Sequence, residues 1–339
     1  MKRTLGISKI ATVTMAALGL IGTAPSAHAL ATGEVQALVQ IQNFGLYNNG
    51  TGSILDATPV TGDFTAFAAF DDASVNAVLN GSGAPGNQSV LAQPPSPPLD
   101  LSQAQIGSPY GQNDFGQHSA PPAGYFARAD QQLQGVLVDG IPKAGGGGNE
   151  PTPASSSLVA EVGLNGPGQG TANTTSGTSG TAIFIPALNN LQVKITFQAD
   201  SWLYAQLSPA LVGRASQSLS FELVDEDNGG ATVFSWDPNG LPGGIVGGTE
   251  VADPFSLNNG IGADFISNGP NCYPLSTCVD NGFQTFTAIT DPLTAGHRYQ
   301  LTFSQTTTAN LTTVPEPGSL ALVGLALLGL GAMRRRRSA

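Results

Sequence analysis

Basic residues are scarce in this chain, and most of them lie at its two ends. The chain has 12 Lys and Arg against 23 Asp and Glu, and seven of the basic residues lie in the first nine and last six positions. The segment 30–313 keeps five basic and 22 acidic residues, so its net charge is 5 − 22 = −17. Nucleic-acid binding needs clustered Lys and Arg that displace counterions. The charge therefore excludes nucleic acid as a partner.

Histidine is also rare, which limits the catalytic chemistry that the chain can offer. Only His118 and His297 lie in segment 30–313, and no Gly-x-Ser-x-Gly sequence accompanies them. Serine-hydrolase chemistry is therefore not predicted, and we expect both histidines at turns or strand edges. A glycosidase would need only two carboxylates, whose separation a sequence does not give. The sequence predicts that the protein is not an enzyme, and a secreted glycoside hydrolase stays the remote alternative.

Cysteine occurs only twice, as Cys272 and Cys278. A metal or redox pair would favour Cys-x-x-Cys spacing or further His and Cys ligands nearby, and neither is present. In an exported protein, a pair at this spacing is expected to oxidise. We predict a disulfide that closes a small surface loop.

Long apolar runs occur only at the two ends, and the first resembles a secretory leader. Basic residues in the first nine positions precede an apolar stretch over 10–21, and Ala27 and Ala29 occupy the small-residue positions of a cleavage site. This pattern predicts a signal peptide over 1–29 that is removed after Ala29, so that the exported chain begins at Leu30.

The second apolar run ends the chain and is bracketed by two short motifs. Pro315, Glu316 and Pro317 precede an apolar stretch over 318–333, and Arg334, Arg335, Arg336 and Arg337 follow it. The stretch predicts a single transmembrane helix, shorter than the roughly 20 residues of an ordinary span but within what a bilayer accommodates. The arginines would keep the C-terminus cytoplasmic. The two prolines would hold Glu316 on a stiff, extended segment.

This order of motif, helix and arginine cluster resembles the PEP-CTERM sorting domain of bacterial surface proteins. The resemblance implies recognition by a membrane-embedded exosortase, which cleaves near the motif and releases or transfers the protein to the surface. It makes Pro315, Glu316, Pro317 and Arg334 to Arg337 recognition residues for another enzyme. An ordinary single-pass anchor is the alternative. The segments Val233–Gly240 and Ala295–Leu301 also resemble a subset of exosortase-dependent surface proteins.

Between the two ends, alternation of apolar and polar residues predicts an all-β protein. Positions 35, 37, 39 and 41 are apolar and positions 34, 36, 40 and 42 are polar, which is typical of a half-buried strand. Similar patterns predict strands near 64–70, 133–138, 158–164, 191–197, 202–207, 219–223, 233–236, 283–287 and 299–304. Several short strands without a convincing helix favour an antiparallel, jelly-roll-like β-sandwich.

Three polar segments interrupt this pattern. Residues 80–124 and 166–180 are rich in Gly, Pro, Ser, Thr and Asn, and they are predicted to be low-complexity surface excursions. Residues 305–313 are predicted to be a linker between the β domain over 30–304 and the sorting tail over 314–339.

Two constellations could bind ligands. Asp225, Asp227 and Asp237 flank a predicted hairpin turn and offer the oxygen ligands that calcium prefers, although a solvated turn is the simpler interpretation. Trp202, Tyr204 and Trp236 would be the sugar-binding aromatics of a carbohydrate-binding module, although core packing explains each of them.

We therefore expect an exported, exosortase-processed surface protein with a structural role in the envelope or the exopolysaccharide matrix. Its partners would be the secretion machinery, the exosortase and possible matrix polysaccharide, and the C-terminal helix would anchor it in the inner membrane only before processing. No cofactor is predicted beyond the possible calcium. A carbohydrate-binding module is the alternative.

Overall fold

The computed structural model describes residues 32–56, 62–79, 82–90, 99–107, 110–111, 114–118, 124–134, 154–208, 211–264, 282–314 and 324–327. The chain divides into two units, Met1–Leu30 and Ala31–Ala339. The first unit, which holds the predicted signal peptide with Ala27 and Ala29, lies outside the described residues.

About 70% of the described residues lie in β-strands, which confirms the all-β prediction. The strands are β1 (Thr32–Asn48), β2 (Phe64–Leu79), β3 (Ser82–Val90), β4 (Leu99–Ile106), β5 (Phe126–Gln134), β6 (Ala154–Asn165), β7 (Gln169–Pro186), β8 (Val193–Leu207), β9 (Leu211–Asp225), β10 (Ala231–Trp236), β11 (Ile245–Val246), β12 (Gly248–Ala252), β13 (Asn259–Asp264), β14 (Gln284–Thr290) and β15 (Tyr299–Thr313). A single 3-10 turn, Glu226–Asn228, interrupts the described strands between β9 and β10.

The strands form two antiparallel sheets that share one interior. The seven-stranded sheet runs in the order β12, β14, β8, β1, β6, β5, β4. The eight-stranded sheet runs in the order β11, β10, β9, β15, β7, β2, β3, and β13 pairs with β9 beside that path. Buried side chains from both sheets pack in common clusters, so the arrangement is a β-sandwich. A jelly-roll order of strands stays a prediction.

The alternation in β1 decides which side chains face the interior. Val35, Ala37, Val39 and Ile41 are buried among side chains of both sheets. Because successive residues of a strand point to opposite faces, Glu34, Gln36 and Leu38 lie on the other face of the seven-stranded sheet. We call this second face the outer face.

One half of the interior is built from aromatic side chains. This phenylalanine-rich half contains Phe44, Phe64, Phe184, Phe197, Phe221, Phe234, Trp236, Phe286, Tyr299 and Phe303, together with aliphatic neighbours. Phe197 is fully buried, and its ring stacks on Phe286 with centroids 5.1 Å apart. The strands that carry these residues are the ones that the sequence predicts most clearly.

The other half of the interior is built from small side chains. Eight of its alanines form two rows across the sheets, Ala77, Ala172, Ala309 and Ala215 in one sheet and Ala104, Ala129, Ala160 and Ala37 in the other. All of them are buried in one cluster with a few Val, Leu and Ile side chains. We call this cluster the alanine-rich half.

A buried polar belt separates the two halves. Along β15, Gln305 and Thr307 lie between Phe303 of the first half and Ala309 of the second, and both are fully buried. The belt is internally hydrogen-bonded: the Ser156 hydroxyl donates to Gln305 Oε1 at 2.8 Å, and Gln217 Nε2 donates to Ser201 Oγ at 2.6 Å. These bonds offset part of the cost of burying polar groups.

The belt and the alanine-rich half overturn three predictions about polar segments. Residues 305–313 are not a linker, because they form the C-terminal part of β15 between β7 and β9. Most of 166–180 is not an excursion, because β7 begins at Gln169. The predicted excursion over 80–124 likewise contains β3 and β4. Small and polar side chains suit a strand here because inward positions are filled by Ala, Thr and Gln.

The separation of the strands predicted near 191–197 and 202–207 is also wrong, since β8 runs unbroken from Val193 to Leu207 and pairs with β1 along its length. At the C-terminus, the structure describes only residues 324–327 of the predicted transmembrane helix, as one helical turn. Among the described residues, no helix has the length and apolar character needed to cross a membrane.

Candidate functional site

A segment between β4 and β5 covers the outer face of the seven-stranded sheet. Its described residues, 110–111 and 114–118, are called the covering loop here. Gln36 on β1 holds the loop through both polar atoms of its side-chain amide. Its Nε2 donates to Gly116 O at 2.9 Å, and its Oε1 accepts from His118 N at 2.9 Å. The outer face is therefore not solvated at this point.

Strand register brings charged residues together beneath the loop. In β1, β6 and β5, Gln36 pairs with Glu161 and Glu161 pairs with Arg128, so the three side chains stand in one row across the sheet. Glu34 lies two residues before Gln36 on the same face, and Asp130 two residues after Arg128. All five of these side chains are fully buried.

Arg128 is the only cation among these buried groups. Its Nη2 and Nε donate to Glu161 Oε2 at 2.8 and 3.2 Å, and its Nη1 lies 3.5 Å from Asp130 Oδ2. The same Nη1 donates to Asp114 O in the covering loop at 2.7 Å. The guanidinium thus joins the loop backbone to two buried carboxylates, and a two-nitrogen contact of this kind is among the stronger charged hydrogen bonds.

His118 carries the loop's own contact with the buried carboxylates. Its Nδ1 lies 2.9 Å from Glu161 Oε1, and its Nε2 lies 3.6 Å from Asp114 Oδ2. The imidazole ring stacks on Tyr110, with centroids 3.5 Å apart. Between a buried and a partly exposed carboxylate, this ring is fixed in position and orientation.

Glu34 and Glu161 are two buried carboxyl groups with opposite pKa shifts. Burial, followed by the Glu161 carboxylate, raises the pKa of Glu34 to about 10. Burial also acts to raise the pKa of Glu161, but hydrogen bonding to His118 and Glu34 and the charge of Arg128 outweigh it and lower that pKa. Without a further cation, Glu34 holds a proton at neutral pH.

The aromatic rings of Tyr110 and Phe126 close one side of the cluster. Tyr110 packs edge-on against Phe126, and the Arg128 guanidinium lies 5.2 Å from the Tyr110 ring centroid. Gly163 leaves room for the Phe126 ring, because a methyl group at position 163 would overlap that ring. Burial raises the pKa of Tyr110 above its ordinary value, so the Tyr110 hydroxyl stays protonated at neutral pH.

This arrangement gathers potential metal ligands. Glu34, His118 and Glu161 each offer one ligand atom, and these atoms lie within 4.8 Å of one another. In the part of the chain that the structure describes, no other His, Cys, Asp and Glu side chains form such a group. The cluster is therefore the strongest candidate site.

The predicted sugar-binding aromatics do not form an exposed platform. Trp236 is fully buried in the phenylalanine-rich half, and its Nε1 donates to Glu250 Oε1 at 3.0 Å. Trp202 and Tyr204 are buried on the outer face with Leu38, Val159 and Phe115 of the covering loop. All three pack against protein, which corrects the sugar-binding interpretation.

The acidic turn is held together by contacts within the protein. Asp225 Oδ1 accepts hydrogen bonds from the backbone of Asp227 and Asn228, and its Oδ2 lies 2.9 Å from His297 Nδ1. Asp227 Oδ2 accepts from the backbone of Arg298 at 2.8 Å. Asp237, at the end of β10, is exposed and does not join them in a metal-binding group. The hairpin of β9 and β10 around this turn is as predicted.

Several predicted residues lie outside the described part of the chain. They are Cys272 and Cys278, Pro315, Glu316 and Pro317, and Arg334 to Arg337. Their assigned roles stay predictions from the sequence.

The sequence did not single out Glu34, Glu161 and Arg128. Glu34 and Gln36 are the polar partners of an alternating strand, which ordinarily face water, and His118 lies in a segment rich in Gly, Pro and Gln. One signal was present: Arg128 is among only five basic residues of segment 30–313. A lone Arg in a strand-forming segment is a reason to look for buried carboxylates.

Comparison with known proteins identifies the tail. A family model described as the PEP-CTERM protein-sorting motif matches residues 313–337, as the sequence predicted. The searches of curated proteins and of solved structures each gave no match.

Proposed function

We propose that this chain, whose PEP-CTERM motif directs it to an exosortase and the cell surface, has a structural, non-enzymatic role in the extracellular polysaccharide matrix. The observation that carries the proposal is the junction between the motif and the fold. The last described strand, β15, ends at Thr313, where the matched motif begins. A cut beyond this junction would leave every described strand in the processed protein.

The contacts of the two histidines support a structural role for the β-sandwich. His118 joins the covering loop to buried Glu161, and His297 joins the start of β15 to Asp225 at the end of β9. Each histidine links two segments of the fold. The acidic charge of segment 30–313 would also keep a secreted domain soluble and favour weak binding of divalent cations.

The proposal has three further parts. A helix over 318–333 anchors the chain before processing, the leader is removed after Ala29, and Cys272 and Cys278 form a disulfide. Glu316 is the only charged residue of the Pro-Glu-Pro sequence, and the four arginines would set the depth of the helix in the membrane. We expect Glu316→Ala, or deletion of Arg334 to Arg337, to leave unprocessed protein in the inner membrane. Neither change should alter the midpoint of thermal unfolding, because both lie in the sequence beyond Thr313, where the last described strand ends.

The test compares these variants with the unchanged chain in a host that has an exosortase. Cell fractionation and intact mass would report delivery and both cleavages, and thermal unfolding would report stability. Asp291→Ala is the matched control, because it removes one exposed acidic side chain from a turn of the fold. Normal surface delivery of the Glu316→Ala protein would contradict the sorting role of the motif.

A further inference from the structure

We propose that Glu34, Glu161 and His118 bind one divalent metal ion, which fastens the covering loop to the outer face of the seven-stranded sheet. The proposal concerns the folded domain and does not depend on the sorting tail. The three side chains come from β1, β6 and the loop, so one ion would link three separate parts of the chain.

The buried charge at this site is unbalanced in a way that a divalent cation corrects. Glu34, Glu161 and Asp130 are fully buried beside Arg128, the one buried cation of the cluster, so with all three carboxyl groups ionised the formal charge is 1 − 3 = −2. Buried charges are costly unless they are paired. One divalent ion brings the cluster to zero.

Glu34 gives an independent reason to expect a ligand. Its side chain is fully buried, and no hydrogen bond of ordinary geometry reaches Oε1 or Oε2 from the described residues, although the carboxyl group interacts with Glu161 and with the Tyr110 hydroxyl. Buried carboxylates are normally satisfied by several donors. One of its oxygens and the ligand atoms of His118 and Glu161 lie within 4.8 Å of one another.

The distances already resemble those between ligands on a common ion. Two atoms that each lie about 2.0–2.2 Å from a zinc ion are separated by about 3–3.5 Å. His118 Nδ1 and Glu161 Oε1 are 2.9 Å apart, and Glu34 supplies the third atom within 4.8 Å. On a common ion, the Glu34 oxygen would lie about 3–3.5 Å from each of the other two ligand atoms.

The neighbours of these ligands are suited to support them. A metal-binding histidine commonly directs its second nitrogen to a carboxylate, and Asp114 Oδ2 lies 3.6 Å from His118 Nε2. Arg128 contacts Glu161 through Oε2, which leaves Oε1 directed toward His118. Both partners fix the ligands in orientation without occupying the ligand atoms.

The ligand set selects the class of ion. Calcium and magnesium are bound by oxygen ligands, whereas imidazole suits zinc and other first-row transition metals. One imidazole and two carboxylates therefore point to zinc or a similar ion. Because the side chain of His118 is only 14% exposed, the ion would serve to hold the loop.

The experiment uses the full chain, purified in detergent, freed of metal with a chelator and titrated with zinc. We expect one zinc ion per chain, a rise of about 5 °C in the midpoint of thermal unfolding at saturating zinc, and slower amide exchange in residues 114–118. His118→Gln should weaken zinc binding by about 100-fold or more and abolish the rise.

His297→Gln is the matched control, because this other histidine of segment 30–313 also contacts a carboxylate and should leave zinc binding unchanged. Glu34→Gln keeps the size of the side chain and tests the site if the His118 variant fails to fold. Equal zinc binding by Glu34→Gln and the unchanged chain would overturn the proposal. So would the absence of any zinc-dependent stabilisation of the unchanged chain.

Discussion

The two halves of the interior solve the same packing problem with different side chains. In the phenylalanine-rich half, large rings from both sheets fill the space. The ring of Phe197, for example, contacts those of Phe44, Phe221, Trp236 and Phe286. In the alanine-rich half, rows of methyl groups fill it. Because interiors are close-packed in both cases, burial alone does not require large apolar residues. The difference predicts opposite responses to changes of side-chain size.

The largest effect is expected from removing a ring in the phenylalanine-rich half. Phe197→Ala should lower the free energy of unfolding by about 3–5 kcal/mol, because the surrounding rings cannot collapse to fill the space. Denaturant unfolding would measure the change. Phe283→Ala, at a ring that is 41% exposed, is the control and should change it little. If Phe197→Ala and Phe283→Ala lowered the free energy of unfolding equally, the stabilising role of the buried rings in the phenylalanine-rich half would be contradicted.

A smaller effect, from the opposite change in size, is expected in the alanine-rich half. Ala309 is fully buried and lies between Ala172 and Ala215 in its row. Ala309→Leu should lower the free energy of unfolding by about 1–3 kcal/mol, because the added atoms have no room. Asn310→Leu, on the opposite face of β15, is the control for added size. If Ala309→Leu stabilised the protein, this half would contain unfilled space instead.

The smallest effect concerns a carboxyl group near the end of the phenylalanine-rich half. Asp253 Oδ2 accepts hydrogen bonds from the backbone of Asn239 and Gly240 at 2.8 and 2.7 Å. Partial burial nevertheless raises its pKa from 3.8 to about 6, with the nearby Glu250 adding to the shift. Ionisation of Asp253 therefore opposes folding.

The sign of the pH dependence follows from this shift. The folded state binds the proton more tightly, so the contribution of Asp253 is present below pH 3.8 and is lost as the pH rises through about 6. Solvent screening limits the change to on the order of 1 kcal/mol. Asp253→Asn should remove it, so the unfolding midpoint of the unchanged chain minus that of the variant should fall from pH 4 to pH 7. Parallel pH profiles for the two proteins would show that the Asp253 pKa is not shifted.

The contrast between the two halves also explains which strands could be predicted. Leu219, Phe221 and Leu223 alternate with polar residues, and the strand they predict is present in β9. The last nine residues of β15 alternate as well, but their inward residues are Gln305, Thr307, Ala309 and Leu311. A hydrophobic pattern reports the size and polarity of side chains, so it detects large apolar residues and passes over a strand lined with Gln, Thr and Ala.

The candidate site could not be predicted for a different reason. The alternation in β1 correctly separates Glu34 and Gln36 from the interior, but it does not reveal that a loop covers them. That loop is distant in sequence, and Gln36 meets Gly116 and His118 only through tertiary structure. Contacts of this kind leave no local pattern. The sorting tail was predictable because its signal consists of consecutive residues.

The position of β15 has a consequence for the timing of folding. A chain emerges from the ribosome with its N-terminus first, and domains generally fold as units once their residues are available. Because β15 is C-terminal yet lies between β7 and β9, the eight-stranded sheet cannot close until residue 313 has been made. The sorting motif follows that residue at once. The sheet can therefore be completed only shortly before the sorting motif is synthesised. A chain that stops before residue 313 would lack both a complete sheet and the sorting motif.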